Sequence, residues 1–379
     1  MRFSDIYGQN EVKERLIRSV KEERLAHAIL LYGPEGSGKL ALAIAFAQYV
    51  ACTNKKEGDA CGECPSCLKY QKLIHPDLHF VFPVILEIHK FSEGGIVEWR
   101  EQILDTPYFS FEKWSEKLSP DIGNKHANKQ LVISVAEAAE IVAEMHKTTF
   151  ESDYKITIVN FADKMNIQCA NKLLKIIEEP FPKTLFIFIC DDPNKLLPTI
   201  TSRLQKIYVP SLPSEEVEKA IKDRYPSNTN IDLKGVARVA NGNIVKAFDL
   251  VENGDSSKEY FEKFVEIMRT CYTRNIRGMR NWSEELSSEW NRKKLISLLQ
   301  YFQRLVRENF ISNVGQKELN YMTNEESNFS LKFAPFINER NICQFLSELE
   351  LAERHIERNG QVKIILFDLT LKLTMLLKM

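Results

Sequence analysis

A chain of 379 residues exceeds what one ordinary hydrophobic core organises, so roughly two to three domains are expected. Its 51 basic and 52 acidic residues leave a net charge of −1, which excludes a global positive field for nucleic acid; any such contact must rest on a local patch or on neighbouring subunits. The polar opening MRFSDIYGQNEVKERL is unlike a secretory signal, and no apolar run approaches the roughly 20 residues that span a bilayer, so no membrane association and a cytoplasmic location are expected.

The first apolar run, AHAILLY at 26–32, leads straight into GPEGSGKL at 33–40, and KLALAIAFAQYVAC behind it has helical spacing and strong helix formers. Strand, glycine-rich loop and helix are the setting of a phosphate-binding loop. There Gly33, Gly36, Gly38 and Lys39 would offer backbone N–H groups, a helix dipole and a cation to a phosphate. The motif ends on Ser or Thr, whose hydroxyl ligates magnesium, and here that place is taken by Leu40. Two readings stay open at this point: a loop that still holds a nucleotide, and a loop kept only as a packing turn.

Four of the eight cysteines follow at once. Cys52, Cys61, Cys64 and Cys67 stand as C-x8-C-x2-C-x2-C, with Gly62 and Pro65 supplying tight turns between them. Two-residue spacers let thiolates converge on one tetrahedral ion, and four sulfurs with no open position describe a structural zinc. His75 or His79 could replace Cys52 as fourth ligand, although His75 precedes Pro76 and reads as a loop residue. Cys169, Cys190, Cys271 and Cys343 fall in apolar patterns and read as small buried hydrophobes.

Further apolar, β-rich runs are DLHFVFPV (77–84), LVIS (131–134), KITIVNF (155–161) and TLFIFIC (184–190), separated by helical patterns such as VAEAAEIVAEMH and NIQCANKLLKIIEE. Strands buried on both faces alternating with helices predict a parallel α/β sheet with helices on either side. The segment from about 89 to 130 is polar, carries Gly94-Gly95 and several aromatics, and reads as an insertion packing a few rings on the domain surface. Beyond Val209-Pro210 only helical stretches follow, from SEEVEKAIKDRY to VKIILFDLTLKLTMLLKM.

These motifs in this order resemble the clamp-loader subunits of bacterial DNA polymerase III: a P-loop, a four-cysteine knuckle and HPD, then ADKMN with ANKLLKIIEEP, a strand and Thr201-Ser202-Arg203. The opening DIYGQNEVKERL, centred on Gly8-Gln9, resembles the family box near the adenine pocket. The resemblance implies an AAA+ architecture: a P-loop α/β domain core at 1–160 with zinc module 52–67 and insertion 89–130, its last strand continuing to 210. A helical lid at 211–255 and an all-α collar at 256–379 that mediates oligomerisation would follow. It also implies partners: gamma/tau and delta subunits, and through the complex a sliding clamp and primed DNA.

A working ATPase of this class needs a P-loop hydroxyl on magnesium, an acid at a strand end to hold the ion, and a second acid to polarise water. The acidic pair should sit before Ala162-Asp163, where the sequence has Asn160 and Phe161. With Leu40, these substitutions remove hydroxyl, carboxylate and base together, so no intrinsic ATPase activity is expected. The resemblance gives Arg203 the role of an arginine finger reaching the neighbouring subunit's site, with Leu204 where the family motif has cysteine. A non-hydrolysing, delta prime type of subunit is therefore the first reading, and a divergent gamma/tau motor the alternative. The motif Asn171-Lys172-Leu173-Leu174-Lys175 with Glu178-Glu179-Pro180 reads as a structural helix with a solvated lysine face. In ANGNIVKAF, Lys246 stands near where motors carry a sensing arginine.

Overall fold

The computed structural model describes residues 1–118, 131–226, 232–252, 254–314 and 321–378. The chain forms two compact units, one of residues 1–227 with 241–247, the other of 228–240 with 248–379.

The first unit is built on a parallel sheet of β1 (Ala28–Tyr32), β2 (Leu78–Val81), β5 (Lys155–Val159), β6 (Thr184–Cys190) and β7 (Gln205–Tyr208), in the order β2-β5-β6-β1-β7. A short antiparallel pair, β3 (Val84–Ile85) and β4 (Leu131–Val132), lies outside it. Every residue of β5 and β6 is buried, which is why both read as continuous apolar runs. The register sets Ala28 opposite Phe186 and Lys155 opposite Thr184, so the strands end together on one edge. That edge, at the carboxyl ends of parallel strands, is where ligands of such sheets bind.

The helices of this unit are α1 (Asn10–Lys21), α2 (Lys39–Ala51), α3 (Pro65–Gln71), α4 (Ile96–Asp105), α5 (Phe111–Leu118), α6 (Val135–Met145), α7 (Ile167–Glu178), α8 (Pro198–Thr201) and α9 (Ser214–Arg224). All thirteen residues of α2 are buried; its alanines and aliphatics present no polar face to water. On α7 the apolar stripe Leu173, Ile176 and Ile177 packs into the core with Phe186 and Phe188, leaving Lys172 exposed.

The inserted segment corrects the expectation of a surface elaboration. Trp99 on α4 and Trp114 on α5 are wholly buried. Trp99 stacks on Phe82 with ring centres 4.2 Å apart, and the Trp114 indole N–H donates to the Pro83 carbonyl at 2.9 Å. The polar composition hid these helices because a few large rings carry their burial. The rest of the expected insertion, 119–130, lies outside the described residues.

The second unit contains α10 (Leu233–Ala240), α12 (Gly254–Tyr272), α13 (Ile276–Glu289), α14 (Arg292–Val314), α15 (Asn324–Phe333), α16 (Ile342–Glu357) and α17 (Val362–Leu376), while α11 (Ile244–Glu252) begins in the first unit and ends in the second. Phe264, Trp282, Leu286, Phe302, Phe345, Leu349 and Leu366 form its core. The half-buried Arg304 and the buried Glu326 pair there, and Glu326 also closes a capping box with Thr323 at the start of α15. Cys343 is exposed, contrary to the buried place expected for it, whereas Cys169, Cys190 and Cys271 are buried. Among the described residues no helix is long and apolar enough to cross a membrane.

Candidate functional site

The glycine-rich loop connects β1 to α2 at the carboxyl edge of the sheet, and its lysine is already engaged. Lys39 Nζ donates to the carbonyls of Gly33 (2.8 Å) and Pro34 (2.6 Å) and pairs with Asp191 at 2.9 Å, just past β6. Its side chain is only 7% exposed. The ammonium thus serves loop carbonyls and a carboxylate rather than facing an open cradle.

Two neighbours close over the loop. Gly36 has φ 70°, and a Cβ there would stand 1.9 Å from Asn243 Oδ1, so only glycine admits that approach. Ile244 N–H donates to the Gly36 carbonyl at 3.2 Å, and Asn243 Nδ2 reaches Glu35 Oε2 at 3.4 Å. Burial, and then the charge of Asp191, pushes the Glu35 carboxyl above its usual range. From the other side comes the α4–α5 connection. A Cβ on Gly38 would lie 3.2 Å from the Tyr108 ring, and Tyr108 in turn packs on Tyr7 with centroids 5.9 Å apart.

Leu40, Asn160 and Phe161 line the same cleft. Leu40 is buried, and Asn160 is buried with its backbone N–H on the Val81 carbonyl. Phe161 adopts a left-handed backbone (φ 53°) and meets Phe109 and Phe111 edge-on at 6.2 and 5.4 Å. The Phe161 ring thus packs on the inserted segment. With Pro107, Tyr108 and Phe109 in place, the cleft retains about 50 Å³. That is room for a few water molecules. The Lys39 ammonium, held by Gly33, Pro34 and Asp191, would have to exchange those partners to meet a phosphate.

Gly8 and Gln9 do lie at this site. Gln9 Nε2 donates to the carbonyls of Ser37 (3.0 Å) and Pro210 (2.7 Å), tying the P-loop to the end of the sheet domain, and Gly8 N–H donates to Glu216 on α9. Val245, not Lys246, lines the cleft. Sequence reasoning missed Asp191, Asn243 and Tyr108. Of these only Asp191 carried a signal, an acid directly after a buried parallel strand.

Arg203 stands apart from that cleft, in the turn between α8 and β7. Its Nη1 donates to the Thr199 carbonyl at 2.6 Å, and its Nη2 pairs with Glu178, the last residue of α7. Arg203 and Glu178 are both partly exposed, while Leu204 beside them is buried in the core.

The four cysteines come together. Their sulfurs all lie within 4.8 Å of one another, with Cys52–Cys61 at 3.6 Å and Cys61–Cys67 at 3.8 Å. Zinc–sulfur bonds of about 2.3 Å place the corners of a tetrahedron about 3.8 Å apart, so this donor set fits one such ion. Backbone N–H groups of Glu63 and Cys64 point at Cys61 Sγ, and that of Cys67 at Cys64 Sγ. Although burial opposes it, hydrogen bonds from Cys67 N–H and from Thr53 bring the Cys64 thiol down to about 6, while burial pushes Cys67 up to about 12. Four thiolates this close repel one another unless a cation sits among them. His75 is elsewhere, its ring against Tyr70 at 4.7 Å and its Nδ1 accepting from Asp77 N–H, and His79 faces Glu144.

Comparison with known proteins gives the same direction. The family described as DNA polymerase III, delta subunit, matches residues 8–213, more than half of the chain. The chain is 28% identical over 270 residues to the DNA polymerase III subunit delta' of Bacillus subtilis, covering 70% of this chain and 66% of that one. It is 26% identical over 277 residues to the subunit delta' of Pseudomonas aeruginosa, covering 73% and 69%. Against the subunit tau of Bacillus subtilis it is 25% identical over 259 residues, covering 67% of this chain and 38% of that one. The matches thus span about two thirds of the delta' chains. Among solved structures, a gamma subunit-related protein of DNA polymerase III from Thermotoga maritima aligns over 94% of this chain and 97% of its own, at 13% identity and a TM-score of 0.44. The chain belongs to the DNA polymerase III delta subunit family.

Proposed function

We propose that the chain is a non-hydrolysing, delta prime type subunit of the DNA polymerase III clamp loader, which helps place the sliding clamp on primed DNA. In this reading it is a component of the polymerase III holoenzyme in the cytoplasm, hydrolyses no ATP itself, and assembles with gamma/tau and delta subunits. Its division would be an AAA+ α/β domain to about 210, a lid at 211–255 and an oligomerising collar at 256–379. Arg203 would reach the neighbouring subunit's site, where a finger arginine stabilises charge on the transferring phosphate. Cys52, Cys61, Cys64 and Cys67 would hold a structural zinc that staples the module and supplies no reaction step.

The observation that carries the non-hydrolysing reading is the P-loop cleft. Lys39 bonds to its own loop and to Asp191, no hydroxyl follows it, and Asn160 and Phe161 stand where the acids should be. Magnesium would lack its protein ligands and water its base. Reconstitution of the complex tests the reading. The isolated chain is expected to release no phosphate from ATP. Arg203→Ala is expected to lower the clamp- and DNA-stimulated ATPase rate of the assembled complex at least ten-fold, the finger's effect in related phosphoryl transfer being about 10³ or more. Lys39-dependent turnover by the isolated chain, or an Arg203→Ala complex as fast as wild type, would overturn it.

A further inference from the structure

We propose that Glu178 is a positioning residue that stores Arg203 on its own subunit until a neighbour's nucleotide draws it away. The inference rests on the reading of Arg203 as a trans finger, and gives it a regulated resting state.

The guanidinium in this structure bonds to its own chain through both terminal nitrogens. Nη2 is on the Glu178 carboxylate, and Nη1 is on the Thr199 carbonyl at 2.6 Å with Ser202 Oγ at 3.4 Å. A finger must present its terminal nitrogens to phosphate oxygens in a fork. In this position both nitrogens are occupied, and the adjacent carboxylate cancels the charge that a phosphate would meet. Approach of an anion to the stored arginine is therefore opposed by Glu178 itself.

The carboxylate has no evident helical reason to be there. Glu178 is the final residue of α7, the end that carries the negative pole of the helix, and Glu179 follows it directly. A second acid at that end is disfavoured by the dipole and by its neighbour unless a cation compensates it. The apolar stripe of α7 accounts for Leu173, Ile176 and Ile177 but leaves Glu178 unexplained. Its contact with Arg203, across from the turn after α8, supplies the explanation.

The strength of the pair suits storage. Its side chains are 37% and 45% exposed, and exposed pairs shift an equilibrium by no more than about five-fold. A bidentate phosphate contact in a dry neighbouring site is stronger than that, so the finger transfers once the neighbour is loaded and close. Without such a neighbour it stays home.

The test uses the whole reconstituted complex. Glu178→Gln keeps the size and removes the charge, so the ATPase rate without clamp and DNA is expected to rise about two- to five-fold, while the fully stimulated rate stays at the wild-type value. Glu178→Asp, which restores the charge, is expected to return the basal rate toward wild type, a rescue that a volume effect alone would not give. In an Arg203→Ala background Glu178→Gln is expected to have no further effect. Thermal unfolding of each variant chain checks that the fold is kept. A basal rate unchanged or lowered by Glu178→Gln, or raised equally without Arg203, overturns the storage role and leaves the finger intact. A silent Arg203→Ala overturns the finger and with it the storage.

Discussion

Asp77 lies beneath the connection from α6 to β5, and its carboxylate accepts the backbone N–H groups of Phe150 (2.6 Å), Glu151 (2.8 Å) and Ser152 (2.9 Å). Burial alone would oppose its ionisation, but the three donors outweigh burial and hold its pKa below the usual carboxylate value. The Asp of HPD is thereby a structural anchor: it turns the chain so that β5 can enter the sheet beside β2, and β5 in turn delivers Asn160 and Phe161 to the cleft. A carboxylate whose folded-state pKa is depressed contributes stability above its unfolded-state pKa, and that contribution is lost as pH falls through the folded-state value. Asp77→Asn is therefore expected to cost about 1–3 kcal/mol in urea unfolding at pH 7. The gap should close as the pH drops below about 4, where the wild-type carboxyl also takes up its proton. A deficit that stays constant down to pH 2 would assign the loss to packing instead.

At the scale of elements, the cysteine knuckle shows why a short segment can be rigid without a core of its own. Residues 52–67 bury little besides Ala60, Ser66 and the thiols of Cys52, Cys61 and Cys67, with Cys64 half-buried, and turns at Lys56–Asp59 and Gly62 join them. A zinc held by the four thiolates, as proposed, would supply what apolar area does not. Metal analysis of the purified chain is expected to find about one zinc per chain, and Cys64→Ser to lose most of it together with a lowered unfolding midpoint. Full zinc content in Cys64→Ser, or none in the wild type, would remove the metal role. This element was legible because ligand spacing is a local property, as were β5, β6 and α2, whose apolar runs are unbroken. β7 was less so, because three of its four residues are exposed and its pattern is that of an edge. α4 and α5 were hidden by their polar surfaces, and α13 by Gly278 and a serine-rich face. Leu40, Asn160 and Phe161 could be read in the sequence because each occupies a fixed motif position. Tyr108 and Asn243 could not, because tertiary packing alone brings them to the P-loop from 68 or more residues away.

For the molecule as a whole, the proposed loss of nucleotide chemistry would be distributed over several elements. α2 contributes Leu40, β5 leads to Asn160 and Phe161, and the α4–α5 connection brings Tyr108 and Phe109 to the same cleft, with Phe161 against the rings of Phe109 and Phe111. Each change removes a reason for the others to be kept: without a nucleotide the pocket is void, and a void of that size is costly unless side chains occupy it. Filling it would convert a ligand-dependent site into permanent packing, as the proposed role of a subunit that holds its shape while others cycle requires. Reverting the three motif positions, Leu40→Thr, Asn160→Asp and Phe161→Glu, is accordingly expected to yield no phosphate release above background. Phe161→Glu would set a carboxylate against the rings of Phe109 and Phe111, with an expected cost of about 2–4 kcal/mol. Adding Tyr108→Ala to the reverted chain should open the cleft next to Gly38, so that a fluorescent ADP analogue binds where wild type and the three-position variant do not bind it. Titration of the three chains under one buffer, with urea unfolding to confirm that each remains folded, separates the two contributions. Hydrolysis by the three-position variant, abolished by Lys39→Ala, would mean that the inserted segment yields readily to a nucleotide and that the motif residues alone had silenced the site.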